Sequence, residues 1–506
     1  MAHDLKNRVF RFYLKHFFSP EFSAAQSIAE QRKVFAKLIS ELSATEIGKD
    51  LKLSEVKTYA DFERIPVTQY SFYEPYIEKI KAGKSKVMTT GKVRYFGKTA
   101  GTTSGKSKLI PITRYIVDNM HVRGTLFSLS RLHYLDEGID ILTHKNFALP
   151  GGVYEKLSPS GIVVADISAI MLRNVPLAFR TIYVPGVKLI THPSWDYKLN
   201  KIAEEVSKAD IGTISGIPTW HLAVLAKIRD EIHFNKLTGL WKNLRIFFHG
   251  GVSFEPYRKQ FNELFGRDDV IFYEVYNATE GFFGIQANIQ GGDLLLLTDN
   301  GVFYEFIPFS QYGSENAKPI PLEEVKADIP YVLLVTTHNG LLRYVIGDVI
   351  TFTSTDPYKF RITGRTQEYI NAFGEDLLLS NAEQALMKTN AKFDCAIKEY
   401  TVAPLYINIE SKGRMQFLIE FKKPPENMEQ YAAELDAQLQ NENSNYKQKR
   451  NHDLALSTLE VIVAKEGLFY EWMASRGKMG GQNKIPRLVN GRKVIEEMLE
   501  LNTGAR

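Results

Sequence analysis

The chain has 506 residues, 44% of them hydrophobic, and its 63 basic and 58 acidic residues leave a formal charge of only +5. This length exceeds the roughly 250–300 residues at which a single hydrophobic core stops growing, so two or more packed units are expected. So small a charge gives no reason to expect nucleic acid or a membrane surface as a partner. The single cysteine, Cys395, excludes an internal disulfide framework and a cysteine-based zinc site.

The first segment carries apolar residues at helical spacing, and residues 3–47 are predicted to form an opening pair of helices. Its first twenty residues mix aromatics with basic residues such as Lys6, Arg8 and Lys15, so they lack the continuous apolar core of a signal peptide. No apolar run reaches the ~18 residues needed to span a bilayer. A cytoplasmic location is therefore expected.

The next feature is a loop rich in glycine and hydroxyl side chains. Residues 99–108 read Thr-Ala-Gly-Thr-Thr-Ser-Gly-Lys-Ser-Lys, a composition suited to the phosphates of a nucleotide. The loop differs from that of P-loop NTPases, because only three residues separate Gly101 from Gly105 and the following Pro111 disfavours a helix. We predict a strand, the loop and a second strand, so that the loop closes over phosphates as a flap.

Beyond the flap the chain alternates helices and strands. A helix is predicted at 115–135, with Thr113 as its N-cap. Short apolar strands separated by helical segments follow, a rhythm typical of largely parallel α/β folds, at 141–142, 187–190, 211–214, 244–248 and 270–275. Consecutive strands are then predicted at 294–297, 303–307, 331–335 and 349–352. Past Arg365 the pattern becomes α+β, with strands at 400–409, 415–421 and 459–463 and a helix at 427–441.

These elements predict an α/β fold with two domains. The large N-terminal domain, residues 1–366, is expected to hold mixed and parallel sheets flanked by helices, with a β-rich subregion. The smaller C-terminal α+β domain, residues 367–506, is expected to be mobile.

One candidate site motif is Tyr276-Asn277-Ala278-Thr279-Glu280-Gly281, which follows the strand predicted at 270–275. In open α/β sheets, ligands bind at the carboxyl ends of strands. A tyrosine ring can pack on adenine, a threonine hydroxyl can reach a phosphate, and a glutamate can hold Mg²⁺ against phosphate oxygens. The alternative is an ordinary strand-end turn with a solvated Glu280.

A second motif runs from Leu342 to Val349 and contains Asp348 between apolar strand residues. A carboxylate in that position is costly unless it is paired or faces a ligand. Its two oxygens suit the two hydroxyls of a ribose. The alternative is a turn, or a salt bridge between Asp348 and Arg343.

Two further motifs concern the C-terminal part. Gly364-Arg365 ends a predicted strand at the domain boundary, where glycine can absorb rotation as domains reorient, although an exposed turn is the commoner meaning. The loop Gly480-Gly481-Gln482-Asn483-Lys484 presents a flexible charge suited to a phosphate, although a lone loop lysine is usually just solvated. The 11 histidines show no HExxH or other metal-ligand spacing, and no GxSxG elbow is present.

The motifs, in chain order, are the glycine and hydroxyl loop, Tyr-x-x-Thr-Glu-Gly, Arg-Tyr-x-x-Gly-Asp, Gly-Arg and the late lysine. Their order along the chain resembles that of the acyl-adenylate-forming enzymes. Within them the chain is similar to the auxin-responsive acyl acid amido synthetases, in a form like their bacterial relatives, over nearly its whole length. The resemblance implies that ATP adenylates a carboxylic acid, releasing pyrophosphate, and that an amine, typically of an amino acid, then attacks the acyl carbon to form an amide.

The resemblance also implies roles for individual residues. The phosphates would be held by the loop, and the nucleotide residues would be Thr99, Thr102, Thr103, Gly105, Lys108, Gly250, Gly251, Tyr276, Thr279 and Asp348. Mg²⁺ would bind Glu280, and Lys484 would bridge the carboxylate and the α-phosphate during adenylation. The C-terminal domain would rotate about Gly364, Arg365 and Gln367. The chain departs from plant members at Ala100 and Thr279, where they have serine.

Three alternatives stay open at this point. An acyl-CoA ligase would use the same adenylation with coenzyme A as the acceptor. A non-catalytic nucleotide-binding protein would not need Glu280, Asp348 and Lys484 intact. A P-loop kinase would produce ADP instead of AMP.

Overall fold

The architecture below is that of a computed structural model. It describes residues 2–503 apart from 18–22, 102–106, 140, 187–188, 190–194, 219–220, 223, 226–227, 230–236, 253, 315–316, 367–368, 376, 409–410, 451–455 and 477–484. The helices in the described chain are α1 (Ala2–Phe17), α2 (Ala24–Leu42), α3 (Glu46–Asp50), α4 (Tyr59–Phe62), α5 (Glu74–Lys81), α6 (Arg114–Ile116), α7 (Arg123–Leu135), α8 (Ile167–Arg173), α9 (Leu177–Arg180), α10 (Trp195–Ser207), α11 (Glu255–Phe265), α12 (Leu379–Phe393), α13 (Met428–Glu442), α14 (Ser444–Arg450), α15 (Leu468–Ser475) and α16 (Lys493–Thr503). None of these helices has both the length and the apolar character needed to cross a bilayer.

A small sheet contains the strands on either side of the flap loop. Its strands are β1 (Val93–Gly101), β2 (Ser107–Thr113), β4 (Val153–Lys156) and β5 (Val163–Ala165), in the order β2-β1-β5-β4. The β1–β2 pair is antiparallel, with Thr99 opposite Lys108. The two predicted strands are therefore confirmed, while the loop between them, residues 102–106, lies outside the described residues.

Most of the chain before residue 366 belongs to one mixed sheet, whose described strands number twelve. They are β3 (Lys145–Leu149), β6 (Tyr183–Val184), β7 (Ile211–Gly216), β8 (Ile246–His249), β9 (Ile271–Ala278), β10 (Gly281–Gln286), β11 (Leu294–Leu296), β12 (Val302–Pro308), β13 (Ile320–Pro321), β14 (Pro330–Thr337), β15 (Tyr344–Thr355) and β16 (Tyr358–Arg365). The order is β13-β12-β14-β15-β16-β11-β10-β9-β8-β7-β3-β6. In this order the strands from β9 to β6 pair in parallel, as the alternating helix and strand pattern predicts. The strands from β13 to β9 pair antiparallel.

The C-terminal part has its own three-stranded sheet, β19 (Ala396–Leu405), β20 (Arg414–Lys423) and β21 (Glu460–Val463), preceded by the short pair β17 (Tyr369–Ile370) and β18 (Leu377–Leu378). Its buried side chains share one hydrophobic cluster with the parallel strands; Phe247 and Tyr257 lie in that cluster with Phe373 and Phe417. Tyr257 and Gln260 of α11 also donate hydrogen bonds to the carbonyls of Ala372 and Ile407. The two parts are thus packed together through both apolar and polar contacts.

Several predicted elements need correction. The strand expected at 141–142 is absent from this described stretch, because Ile141 packs into an apolar cluster and the strand begins at Lys145. Of the strand expected at 187–190, residues 187–188 and 190 lie outside the described residues, and the nearby strand is β6. The helix predicted at 115–135 has its Thr113 cap, but a π-helical turn, Val117–Val122, separates α6 from α7.

The central strands are anchored by a buried ion pair between β12 and the residue before β15. Arg343 Nη2 lies 2.9 Å from Glu305 Oε1, and the two side chains are only 3% and 1% exposed. Arg343 also donates to the carbonyls of Glu63 and Ile65, while Tyr59 donates to Glu305. The alternative interpretation, in which Arg343 forms a salt bridge with Asp348, is therefore wrong. Breaking a buried pair leaves one uncompensated charge, which is costly.

We expect Arg343→Met to lower the free energy of unfolding by about 3–5 kcal/mol, because Glu305 would remain buried without its cation. Adding Glu305→Gln should recover part of the loss. The matched control is Arg32→Met, whose 76% exposed side chain pairs with Glu323 at 3.6 Å; it should change stability by less than ~1 kcal/mol. Urea denaturation measures all three, and equal losses in the two single variants would contradict the assignment.

Candidate functional site

A cavity of about 2650 Å³ lies where the mixed sheet, the flap strands and the C-terminal part meet. Of the predicted site residues, those that line it are Thr99, Lys108, Gly250, Gly251, Tyr276, Thr279, Glu280, Asp348, Gly364 and Arg365. The remaining five, Thr102, Thr103, Gly105, Gln367 and Lys484, lie outside the described residues. Motifs separated by more than 260 positions in the sequence thus share one cavity wall.

Asp348 is held by two side chains from other strands. Its Oδ2 accepts a hydrogen bond from the Tyr276 hydroxyl, and its Oδ1 accepts one from Arg365 Nε at 2.6 Å. Burial and the neighbouring Asp348 raise the pKa of Tyr276 well above its ordinary value, so the hydroxyl stays a donor. Each carboxylate oxygen can accept a second hydrogen bond. Asp348 is therefore fixed in place while it keeps capacity for a ligand's hydroxyls.

The Tyr276 motif was expected to follow a strand, but in the structure it lies on a hairpin. β9 continues through Ala278, Thr279 and Glu280 form a two-residue turn, and β10 returns at once. Glu280 is 4% exposed, and in the described chain its carboxylate accepts no hydrogen bond from another side chain. Burial raises its pKa, and the Lys108 ammonium opposes that effect. A buried carboxylate of this kind is costly unless a ligand compensates it.

The flap strands pack directly on this hairpin turn. A side chain at Gly97 would collide with Cγ2 of Thr279, so β1 can approach the turn only because residue 97 is glycine. On β2, Lys108 donates a 2.6 Å hydrogen bond to the Tyr344 hydroxyl and lies 5.3 Å from the centre of that ring. The lysine therefore carries its positive charge towards Glu280, on the cavity side of the flap.

The turn after β8 forms another part of the wall. A side chain at Gly250 would collide with the Val275 carbonyl, and Gly251 has φ +80°, so both positions require glycine in this conformation. Asn371 donates a 2.9 Å hydrogen bond to the Gly251 carbonyl and so ties the turn to the C-terminal part. The adjacent His249 is buried against Phe254, and burial lowers its pKa to about 3, so it is neutral at physiological pH.

At one end the cavity continues into an apolar arm. We define the arm by its lining residues on α1, α7, α8 and the segment that follows, namely Val9, Phe10, Tyr13, Leu126, Leu129, Met171, Leu172, Val175 and Phe179. None of the described residues lining the cavity from these elements is charged. Met171 contacts Asn277 of the hairpin at 3.4 Å, so the arm opens beside the predicted nucleotide residues. The predicted helix 115–135 therefore contributes to an apolar pocket through α7.

Some cavity residues were not found from the sequence. They are Lys98 on β1, Tyr154 on β4, Asp166 before α8, and Gln448 and Lys449 on α14. None of the sequence motifs lies in this region, although a side chain at Gly151 would collide with Asp166, so the chain there requires glycine. Because successive side chains of a strand point to opposite faces, the predicted strand before the loop could have shown that Lys98 faces away from Thr99.

Comparison with solved structures shows the fold first. The chain is similar to an Arabidopsis GH3.15 acyl acid amido synthetase in complex with 2,4-DB, with a TM-score of 0.60, 17% identity, and coverage of 96% of this chain and 97% of the other. It is also similar to 2-hydroxyisobutyryl-CoA ligase in its thioesterification state, with a TM-score of 0.58, 12% identity and 96% coverage of both chains. The fold is thus one that amido synthetases and acyl-CoA ligases share.

The family follows from the sequence matches. Residues 20–194 and 178–270 match the GH3 family N-terminal domain, 295–365 the central domain and 380–493 the C-terminal domain. The chain belongs to the GH3 family. Its relatives include the indole-3-acetic acid-amido synthetase GH3.3 of Arabidopsis thaliana, 23% identical over 92% of this chain and 90% of the relative. Another is the 4-substituted benzoates-glutamate ligase GH3.12 of the same plant, 20% identical over 86% and 88%.

We expect Gly97→Ala to lower the free energy of unfolding by about 1–3 kcal/mol, since the added methyl group would press on Thr279. The matched control is Gly491→Ala, where a new Cβ meets no atom within 4 Å; its effect should stay within ~0.5 kcal/mol. Urea denaturation compares the two. A Gly97→Ala variant as stable as the control would show that β1 need not lie against the hairpin turn.

Proposed function

We propose that the protein is an ATP-dependent acyl acid amido synthetase. It joins the carboxyl group of an acid to an amine, by way of an acyl adenylate, with release of pyrophosphate and then AMP. The observation that carries the proposal is the cavity that places Lys108, Glu280 and Asp348 together beside an apolar arm. The relatives named above are amido synthetases and a benzoate-glutamate ligase, which supports the same conclusion.

In this proposal the nucleotide lies against the hairpin and the flap. Asp348, held by Tyr276 and Arg365, accepts the ribose hydroxyls. Lys108, Thr99 and the flap loop face the phosphates, and Thr279 faces the α-phosphate. Attack of one anion on another needs positioning and charge neutralisation more than a nucleophilic side chain, and these residues supply both.

The residues also fit a magnesium ion that accompanies ATP. Mg²⁺ is commonly held by one or two carboxylates together with phosphate oxygens and water. Glu280 is a buried cavity carboxylate without a side-chain partner in the described chain, and no cluster of three or more metal-ligating side chains exists among the described residues. Glu280 would hold the ion, which neutralises phosphate charge when it is bound.

The apolar arm accommodates the body of the acid. Its lining is hydrophobic, and it opens beside Asn277, where the carboxyl group would meet the α-phosphate. An acid with an uncharged, hydrophobic body fits this arm, because a charged one would be buried there without a partner.

The C-terminal part supplies Lys484 in this proposal. We keep the division into domains 1–366 and 367–506, with Gly364, Arg365 and Gln367 as the hinge and a cytoplasmic location. Gly364 and Arg365 lie at the end of β16, where Arg365 pairs with Asp348, so the exposed-turn alternative does not describe them. Rotation there brings Lys484 to the α-phosphate for adenylation and removes it for amide formation.

The function is tested by a screen of carboxylic acids, each with ATP, Mg²⁺ and a pool of amino acids. Pyrophosphate release that depends on the acid, together with a conjugate of the expected mass, is the expected result, and Lys484→Ala should lose acid-dependent pyrophosphate exchange. Coenzyme A in place of the amino acids gives the comparison. A thioester product without any amide would establish the acyl-CoA ligase instead, and ADP as the product would exclude adenylation.

We expect the requirement for Mg²⁺ to rise as the pH falls. Burial raises the pKa of Glu280 above 4.5, so protons compete with the ion at less acidic pH than for an exposed glutamate. The Mg²⁺ concentration for half-maximal pyrophosphate release, measured from pH 5.5 to 8, should increase towards low pH. Glu280→Gln should weaken Mg²⁺ by more than the ~10-fold cost of losing an outer-shell partner, and should remove the pH trend. The exposed Glu324→Gln is the control; an unchanged trend in Glu280→Gln would contradict the assignment.

A further inference from the structure

The strand β1 has two faces, and the proposed nucleotide site uses only one of them. Gly97 faces Thr279, and Thr99 shares that face because side chains alternate along a strand. Lys98 projects from the opposite face, and its ammonium lies 4.3 Å from the centre of the Tyr154 ring. Both faces border the same cavity, since Lys98, Thr99 and Tyr154 all line it.

Lys98 makes no ion pair within the part of the chain that the structure describes. The charge of Lys98 does act on Asp166, whose pKa it lowers. A lysine ammonium is a strongly hydrated point charge that readily binds a carboxylate. Lys98 therefore offers a cation to a ligand in the cavity.

Asp166 contacts the same Tyr154 and offers an anion. Its Oδ2 accepts hydrogen bonds from the Gly152 N–H at 2.6 Å and the Tyr154 hydroxyl at 2.7 Å. Among the described residues no donor reaches its Oδ1, which leaves that oxygen to a ligand. Burial raises the pKa of Asp166, while these two donors, Lys449 and Lys98 act in the opposite direction. A bound cation would stabilise the ionised form further.

The C-terminal part closes this group of side chains. Gln448 of α14 hydrogen-bonds to Tyr154, and Lys449, 5% exposed, packs against Gly374 and acts electrostatically on Asp166. The group of Lys98, Tyr154, Asp166, Gln448 and Lys449 is called the interdomain subsite below. It combines both signs of charge, so it can contact both ends of a ligand that itself carries both signs.

The subsite lies close to the proposed reacting atoms. Asp166 directly precedes α8, and Met171 of that helix contacts Asn277 at 3.4 Å. Five residues of helix rise about 7.5 Å. An amine nitrogen held at Asp166, which after loss of a proton attacks the acyl carbon as AMP leaves, therefore lies within about that axial distance of an acyl group beside Asn277.

We propose that the interdomain subsite binds the acceptor as an α-amino acid zwitterion, with its carboxylate on Lys98 and its ammonium on Asp166 Oδ1. The inference rests on the proposed amido synthetase function and assigns the residues that select an amino acid over a simple amine. Lys449 and Gln448 complete the subsite from the C-terminal part.

The test separates the two half-reactions, using an acid found active in the screen. Acid-dependent pyrophosphate exchange reports adenylation, and conjugate formation with an amino acid or with the same amino acid's carboxamide reports acceptor use. Lys98→Met should raise the KM for the amino acid about 10- to 100-fold, because a charge-assisted hydrogen bond to its carboxylate is lost. The KM for the carboxamide should change little. Lys98→Arg should restore the preference, and the exposed Lys92→Met, outside the cavity, should behave as the parent. Asp166→Asn should weaken both acceptors, since both carry the ammonium.

Other outcomes overturn the inference. Equal losses for the amino acid and its carboxamide in Lys98→Met would show that Lys98 does not read the carboxylate. A raised KM for ATP, with reduced exchange, would place Lys98 in the phosphate site instead. If the parent enzyme forms conjugates and both Lys98→Met and Asp166→Asn keep the parent's KM for the amino acid, the subsite is refuted. The proposed function is not affected by that result. A parent without acid-dependent exchange would refute the proposed function itself.

Discussion

The carboxylate of Asp348 imposes the constraint that shapes the site. Its partner Tyr276 lies on β9, and β16, β11 and β10 separate β9 from β15 in the sheet. In a flat sheet the two strands would be about 19 Å apart, beyond the reach of a tyrosine and an aspartate. The hydrogen bond therefore requires the antiparallel half of the sheet to curl, and the ring contact of Tyr276 with Phe360 on β16 fits the same curvature. Arg365 fixes the other carboxylate oxygen from the neighbouring strand, so the concave wall of the cavity is held by charge as well as by strand pairing.

That curvature explains why the flap strands divide the cavity. The hairpin turn at Thr279 and Glu280 projects from the curled sheet, and β1 lies against it at Gly97. A strand in that position must present alternate side chains to opposite sides. Gly97 and Thr99 therefore share one face of β1, and Lys98 lies on the other. In the proposed reaction a single strand would thus separate the nucleotide from the amino acid, while both faces border the same cavity.

The sequence patterns predicted the parts of this arrangement that are local. Glycine spacing and Pro111 identified the flap strands, and the polar residues after an apolar run identified a candidate site, although they did not predict the hairpin on which it lies. Partners across the sheet were not predictable in this way, because strand order decides them. Arg343 was considered for Asp348, yet it has φ +48° and turns its side chain to Glu305, while Arg365 reaches Asp348 through the β15–β16 register. Asp166 gave no signal, since its neighbours come from three distant segments.

The position of the C-terminal part connects the two proposed half-reactions. In the arrangement described here α14 contributes to the interdomain subsite, and α11 hydrogen-bonds to the carbonyls of Ala372 and Ile407. Rotation about residues 364–367 would withdraw Gln448 and Lys449 from Asp166 and break those polar contacts. The acceptor subsite would then be complete only while the C-terminal part keeps this arrangement. An amino acid would accordingly be held firmly only while Gln448 and Lys449 lie against Tyr154 and Asp166, so acceptor binding should itself favour this arrangement.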